Sequence, residues 1–390
     1  MGLSVGYRRI VVLLTAVLML GTGCSRGTGT GGAPSGDGAH SASPVTFERP
    51  APTEAPAPAD APAPTDAPAS ESASPPIGWT FLPDRPPLFI KFYYGTLDNV
   101  NHARGVASAV DVLSHFGLLV ISPPEKLAAD EQEVVRRLLA AGKQVYGYVH
   151  LATTLAPLTD EQIGAVIDRC AAAGFTGVFF DTAGYDYKVS RLRFNLHVAA
   201  AHRRGLQVMA NAWHAQDVLS DAVDADMNPA GVASALGDGD WILLESFYSR
   251  SDDRYAGEFG GMASMLEDYI RAVSGARARG VKVVGLAYHK SRKPFSDVAD
   301  RKKSYDLALL LGLDGWSYGS SGDNDLVPWT DSPGYSAGSG YLSGLRQESG
   351  NPHRWERKTD RGRIWFEAID NPPTRKTGVE IEREGNWSSS

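Results

Sequence analysis

From Pro86 to Leu345, short apolar runs alternate with longer stretches whose apolar residues recur every three or four positions. The short runs are Leu88 to Tyr94, Leu118 to Ile121, Gln144 to His150, Gly177 to Asp181, Gln207 to Asn211, Trp241 to Phe247, Lys282 to Tyr288 and Gly315 to Tyr318. Short apolar runs bounded by turn signals read as buried parallel strands, and their alternation with helices reads as βαβ units. Eight such units over this span fit a (β/α)8 barrel, whose usual size is roughly 250 residues. The predicted fold class is therefore α/β, a single TIM-type barrel within residues 78–345.

The intervening helices carry their own punctuation. Thr159 and Gln162 form a capping box ahead of Ile163. Ser190 caps a helix that closes at Gly205, after His202, Arg203 and Arg204, which suit its negative end. Met262, Met265, Leu266, Tyr269, Ile270 and Val273 form the inner stripe of another helix, ended by Gly280. Asp297 to Leu311 supply the helix before the last strand. Between Asn211 and Trp241 the helical pattern around Ala215 to Val223 breaks at Asn228-Pro229, so a short helix and an irregular loop are expected. Residues 346–390 change character. Two strands, around Arg361 to Glu367 and Gly378 to Glu382, flank Pro372-Pro373 and predict a small β extension, a hairpin on the barrel or a loose tail, with a disordered end.

The N-terminal part follows a different pattern. Residues 1–23 place Arg8 and Arg9 before the apolar run Ile10 to Leu20, then Gly21-Thr22-Gly23 and Cys24. Charge, a short apolar core and small residues make an export signal. Small residues ending at a cysteine suggest a lipoprotein signal with Cys24 acylated; ordinary secretory cleavage nearby is the alternative. Residues 24–77 are mostly Gly, Ala, Pro, Ser and Asp, too poor in large apolar side chains to offset chain entropy, and read as a disordered tether. The expected location is the cell envelope, lipid-anchored to the membrane outside the cytoplasm, or secreted. The second cysteine, Cys170, lies on the apolar stripe Ile163, Val166, Ile167, Cys170 and reads as a small core residue. The formal net charge is −7, and becomes −9 without residues 1–23, which hold two arginines and no acid. That balance argues against a nucleic-acid partner.

Candidate chemistry lies where the strands end, the catalytic rim of such barrels. Gly177-Val178-Phe179-Phe180 runs straight into Asp181, and Ile242-Leu243-Leu244 into Glu245. The other ends bring Tyr93, Tyr94, Tyr148, His150, Tyr185, Asp186, Asn211, Trp213, Tyr248, Tyr288, His289, Trp316 and Tyr318. Two carboxyls among aromatic faces are what glycoside hydrolysis needs: one protonates the leaving oxygen, the other attacks or activates water. Asp181 and Glu245 are the expected catalytic pair; a structural ion pair or a helix cap is the competing role. Tyr93, Tyr148, Tyr185 and Tyr248 are expected to contact substrate, with His150 and Asn211 as contacts or positioners. Trp213 and Tyr288 read as sugar platforms. Tyr94 and Trp316 read equally as platforms or core. Asp186 is open between binding a hydroxyl, capping a helix and a secondary catalytic role.

Tyr93-Tyr94-Gly95, the block ending in Asp181, Gly184-Tyr185-Asp186, Arg191 with Phe194 and Asn195, Val208 to Trp213, and Glu245-Ser246-Phe247 together resemble the spherulin-4-like glycoside hydrolases. These are relatives of the endo-α-1,4-polygalactosaminidase group (glycoside hydrolase family 114) and of microbial exopolysaccharide hydrolase domains. The resemblance spans roughly Phe89 to Gly319. It implies a (β/α)8 barrel that cleaves an extracellular polysaccharide of α-1,4-linked amino sugars, with the matching Asp181 and Glu245 catalytic and no cofactor. Some relatives carry a second acid directly after the strand-four Asp, where this chain has Thr182. That leaves the division into acid and base open, with Asp186 as a substitute.

Three rival readings follow from the same residues. His150, Asp181, Glu245 and His289 are the types that hold a divalent metal, although no His-x-His or His-Glu-x-x-His spacing occurs. Gly319-Ser320-Ser321-Gly322 stands where barrels often cradle phosphate, but Asp323 and Asp325 would repel an anion, which favours a surface turn. Thr182 keeps open a carbohydrate-binding envelope lipoprotein without turnover.

Overall fold

The computed structural model describes residues 87–97, 100, 105–154, 157–248, 262–289, 298–320, 341–370, 373–383 and 386–389. The expected signal, the tether, Cys24 and the loop holding Asp323 and Asp325 lie outside the described residues.

Eight parallel strands close into a barrel. They are β1 (Leu88–Phe92), β2 (Leu118–Ile121), β3 (Gln144–His150), β4 (Gly177–Asp181), β5 (Gln207–Asn211), β6 (Trp241–Leu244), β7 (Lys282–His289) and β8 (Gly315–Ser320). Closure comes from β1 pairing with β8, Leu88 opposite Gly315. The helices are α1 (Val106–Leu113), α2 (Ala129–Ala140), α3 (Asp160–Ala172), α4 (Arg191–His202), α5 (Gln216–Leu219), α6 (Met262–Arg277) and α7 (Val298–Leu311). Thr159 and Gln162 make the reciprocal bonds of the predicted capping box, and the Ser190 side chain accepts from Arg193. Helix α5 is only four residues long, ending at an extended Ser220, and a loop with an Asp224–Asn228 bridge follows.

Strand alternation sorts the apolar residues into two cores. Ile90, Leu118, Val120, Tyr146, Phe179, Met209, Trp241, Leu243 and Val284 fill the barrel interior. Their neighbours, such as Val178 and Phe180 on β4, pack outward with the helices. Cys170 belongs to this outer layer: its Sγ lies where a Cβ on Gly147 would stand, 2.5 Å away. Burial pushes its thiol up to about 12, so it remains a protonated core residue.

The structure corrects two expectations, for Tyr93 and Tyr248, and decides a third, Trp316, for the core. Tyr93 takes the outward position between the inward Phe92 and Tyr94, is fully buried and donates its hydroxyl to the Thr96 carbonyl at 3.1 Å. Trp316 on β8 is fully buried outside the barrel, packed on Phe89 and Tyr305 with its Nε1 on Ser304. Tyr248 is 3% exposed and packs on Phe366. None of the three offers a face to substrate. The residues that follow apolar runs alternate between inward and outward positions, so standing after a run does not by itself place a side chain in the mouth.

The C-terminal part is larger than a hairpin. Strands β9 (Arg346–Glu348), β10 (Asn351–Thr359), β11 (Gly362–Asp370), β12 (Pro373–Arg383) and β13 (Asn386–Ser389) form an antiparallel sheet in the order β13-β12-β11-β10-β9. Strand β10 lacked an apolar signal because its buried residues include Glu356, Arg357 and Thr359. The Arg357 guanidinium stacks 3.9 Å above the Tyr341 ring, so a cation takes the place of an apolar anchor. Pro373 opens β12, where a strand tolerates the missing donor. Ile364, Phe366 and Ala368 are buried on the face that meets α6 and α7.

Trp316→Ala is expected to cost about 3–5 kcal/mol of stability in urea denaturation, the usual loss for emptying a buried aromatic site. Unchanged stability would show that the Trp316 ring does not fill a packed site.

Candidate active site

On β4 the inward parity that buries Phe179 also turns Asp181 into the mouth. On β5 it links Met209 to Asn211, and on β3 it links Tyr146 to Tyr148 and His150. Strand β6 ends at Leu244, so Glu245 is the first residue beyond it. Strands β4, β5 and β6 are neighbours, which puts Asn211 between the two acids.

The contacts are direct. Asn211 Nδ2 donates to Asp181 Oδ1 at 2.8 Å and to Glu245 Oε2 at 2.9 Å. Two oxygens bonded to one nitrogen at those distances lie under about 6 Å apart. The Tyr148 hydroxyl donates to Asp181 Oδ2 at 2.8 Å, and the Thr182 N–H to Asp181 Oδ1 at 2.9 Å. Asp181 thus accepts three bonds from neutral donors. Tyr94 packs edge-on against Tyr148, 5.4 Å between ring centres. Asp181 and Glu245 are both half-buried.

The electrostatics separate the two acids. Burial first, then the charge of Asp181, push Glu245 up to about 7; the bond from Asn211 opposes this and the charge of Asp186 adds to it. Tyr94 is raised well above the ordinary phenol range by burial and by the charges of Asp181 and Glu245. Tyr148 is raised likewise, by burial and then Asp181. Both stay phenols, and Tyr148 stays a donor.

Each acid is followed by a residue in the left-handed region, Thr182 with φ 55 and Ser246 with φ 56; Tyr248 adds φ 54. Such a conformation costs roughly 1–2 kcal/mol in a non-glycine residue, and a β-branched one there is an outlier. Thr182 is held by its side chain: Oγ1 accepts from the Ala152 N–H at 3.2 Å and lies 3.0 Å from His150 Nδ1. His150 therefore bears on Asp181 through Thr182.

A second acidic group stands beside the pair. Asp186 Oδ1 and Asp217 Oδ2 would lie 2.5 and 3.2 Å from a Cβ on Gly184, a position only glycine leaves open. Asp186 is exposed overall, but partial burial of its carboxyl and the charge of Asp217 push it up to about 6. Asp217 is raised by burial and accepts the Tyr185 N–H at 3.0 Å. Sequence reasoning missed Asp217, which lies on the short α5 and follows no apolar strand. Arg191, fully buried, donates to the carbonyls of Asp217 and Ser220 at 2.7 and 2.8 Å and to the Tyr185 hydroxyl at 3.4 Å. Asn195 pins the β5–β6 loop through Ala233 and Ala235. These two residues of the resembling motif thus brace loops.

Trp213 is half-buried on the turn after β5. Tyr288 lies in β7, its backbone opposite Gly319, and its side chain is outside the described residues, as is that of His289. Among the described residues no group of three or more His, Cys, Asp or Glu is placed to hold a metal ion.

No protein-family model and no curated protein matches the chain. Solved structures with a similar course include the GH99 endo-alpha-mannosidase from Bacteroides thetaiotaomicron, 10% identical with a TM-score of 0.38, covering 63% of this chain and 86% of that one. Eubacterium rectale Amy13B is 9% identical with a TM-score of 0.40, covering 61% and 66%. A D-allulose 3-epimerase from Methylomonas sp. is 10% identical with a TM-score of 0.38, covering 60% and 84%. Likeness at this level carries no argument about chemistry, and barrels host many reactions.

The raised Glu245 also sets a stability profile. Between the ordinary value of 4.5 and about 7, the folded chain holds a proton that the unfolded chain has released. The contribution of this group to stability is therefore full below that window and falls as pH rises through it. Glu245→Gln cannot ionise and keeps an acceptor for Asn211. It is expected to match wild type near pH 4 and to melt higher at about pH 8, a difference of up to roughly 3 kcal/mol. A melting difference independent of pH would show that Glu245 is not raised.

Proposed function

We propose that the chain is an exported glycoside hydrolase that cleaves an extracellular polysaccharide of α-1,4-linked amino sugars by a two-carboxylate mechanism. The single observation that carries this reading is the Asn211 amide bonded to both Asp181 and Glu245. It holds two acids from neighbouring strand ends within about 6 Å, a separation that suits action on one linkage. The expected export signal and acylated Cys24 suit a polymer outside the cell. The sugar class rests on the resemblance of the strand-end residues to the polygalactosaminidase group.

The geometry supports a division of labour. Glu245, raised to about 7, is the proton donor. Asp181, which accepts three hydrogen bonds, is the nucleophile. Its carboxylate oxygen attacks the anomeric carbon while the bond from that carbon to the leaving oxygen breaks, and Glu245 passes its proton to that oxygen. The ionised Glu245 then takes a proton from water, whose oxygen displaces Asp181 from the glycosyl ester. Retaining enzymes hold their carboxyls about 5–5.5 Å apart and inverting ones roughly 6.5–9.5 Å apart. A shared amide nitrogen fits the first range.

The test is release of reducing ends from partly deacetylated galactosaminan, with the first-formed anomer read by proton NMR. The expected product keeps the α configuration. Asp181→Asn and Glu245→Gln should each lower turnover by about 10²–10⁴, the usual contribution of such groups. Activity should fall as pH rises through about 7, where Glu245 loses its proton. Near-wild-type cleavage by either variant would refute the pair, and a β product would refute retention.

A further inference from the structure

The turn that carries Glu245 is strained twice within three residues, at Ser246 and Tyr248, both left-handed. Such a conformation persists only where the surroundings over-determine it. Two aromatic anchors do so here. Phe247 is fully buried: its N–H donates to the Leu286 carbonyl at 2.9 Å, and its ring packs on Tyr269 at 5.2 Å. The ring also occupies space that a Cβ on Gly285 would take, 2.7 Å from Phe247 Cδ1. This anchor belongs to the barrel wall. The other does not. Tyr248 packs edge-on against Phe366 of β11, ring centres 6.1 Å apart at 81°, and both rings are almost wholly buried.

We propose that the C-terminal β-sheet is part of the working apparatus at one remove: Phe366, acting through Tyr248, is a positioning residue for Glu245. The sheet seats on α6 and α7 through Ile364, Phe366 and Ala368. Of these, Phe366 meets the ring that closes the Glu245 turn. The sheet therefore holds one end of the turn while the barrel holds its middle. Loss of the Phe366 ring frees Tyr248, lets the turn relax toward unstrained backbone and moves the Glu245 carboxyl off the Asn211 amide. The proposal rests on Glu245 being the proton donor.

The test compares Phe366→Ala with Ile364→Ala, an equally buried neighbour in the same strand. Polymer cleavage gives kcat and KM. Infrared difference spectra against Glu245→Gln give the carboxyl titration. Phe366→Ala is expected to lower kcat about ten- to a hundredfold with KM nearly unchanged, the scale of a small misplacement of a catalytic group. It should also move the Glu245 titration toward that of an ordinary glutamate. Ile364→Ala should leave both unchanged at temperatures where the two variants are equally folded. Phe366→Leu serves if the alanine variant does not fold. Equal effects of the two positions, or none from Phe366, would overturn the proposal. A wild-type chain that titrates as described but cleaves no polymer would sink the hydrolase reading instead, leaving the infrared comparison to decide the role of Phe366.

Discussion

One amide group organises the mouth of this barrel. Two carboxyls less than about 6 Å apart in a partly dry pocket repel each other when both are charged. Asn211 Nδ2 lies between them and gives each a donor. The remaining repulsion, together with burial, is relieved by keeping the proton on Glu245. The arrangement follows from strand order: only a residue on the middle strand of three can bridge acids on its two neighbours, and β5 lies between β4 and β6.

Around that bridge, the side chains are sorted by parity. Tyr94 and Tyr148 face inward and line the pocket; Tyr93 and Trp316 face outward and pack the shell. Adjacent residues of similar chemistry thus have unrelated tasks. Phe179 fills the barrel and Phe180 glues a helix to its outside. The backbone strain beside the acids belongs to the same design. Left-handed residues stand directly after Asp181 and Glu245, where the strands end. At Asp181 this conformation goes with a Thr182 N–H donated back to the carboxylate. Thr182, the residue directly after Asp181, thereby positions that acid.

The barrel was legible in the sequence because parallel strands buried on both faces read as unbroken apolar runs. All eight strands lie where those runs stand, and Asp181, Asn211 and Glu245 are marked as polar residues ending them. The C-terminal sheet was only half legible. Its strand β10 buries Glu356 and Arg357, so polarity concealed a central strand.

The sequence by itself determined the alternation of strand and helix, the caps, the short α5 and the three polar residues at the pocket. Each of these depends on local periodicity or on a residue's own conformational preference. Only the tertiary structure decided that one amide joins the two acids, that Thr182 supports Asp181, that Asp217 crowds Asp186 and that Tyr248 belongs to Phe366 rather than to a ligand. Each of those is a contact between residues far apart along the chain, and barrel closure and strand register, not local pattern, set such distances.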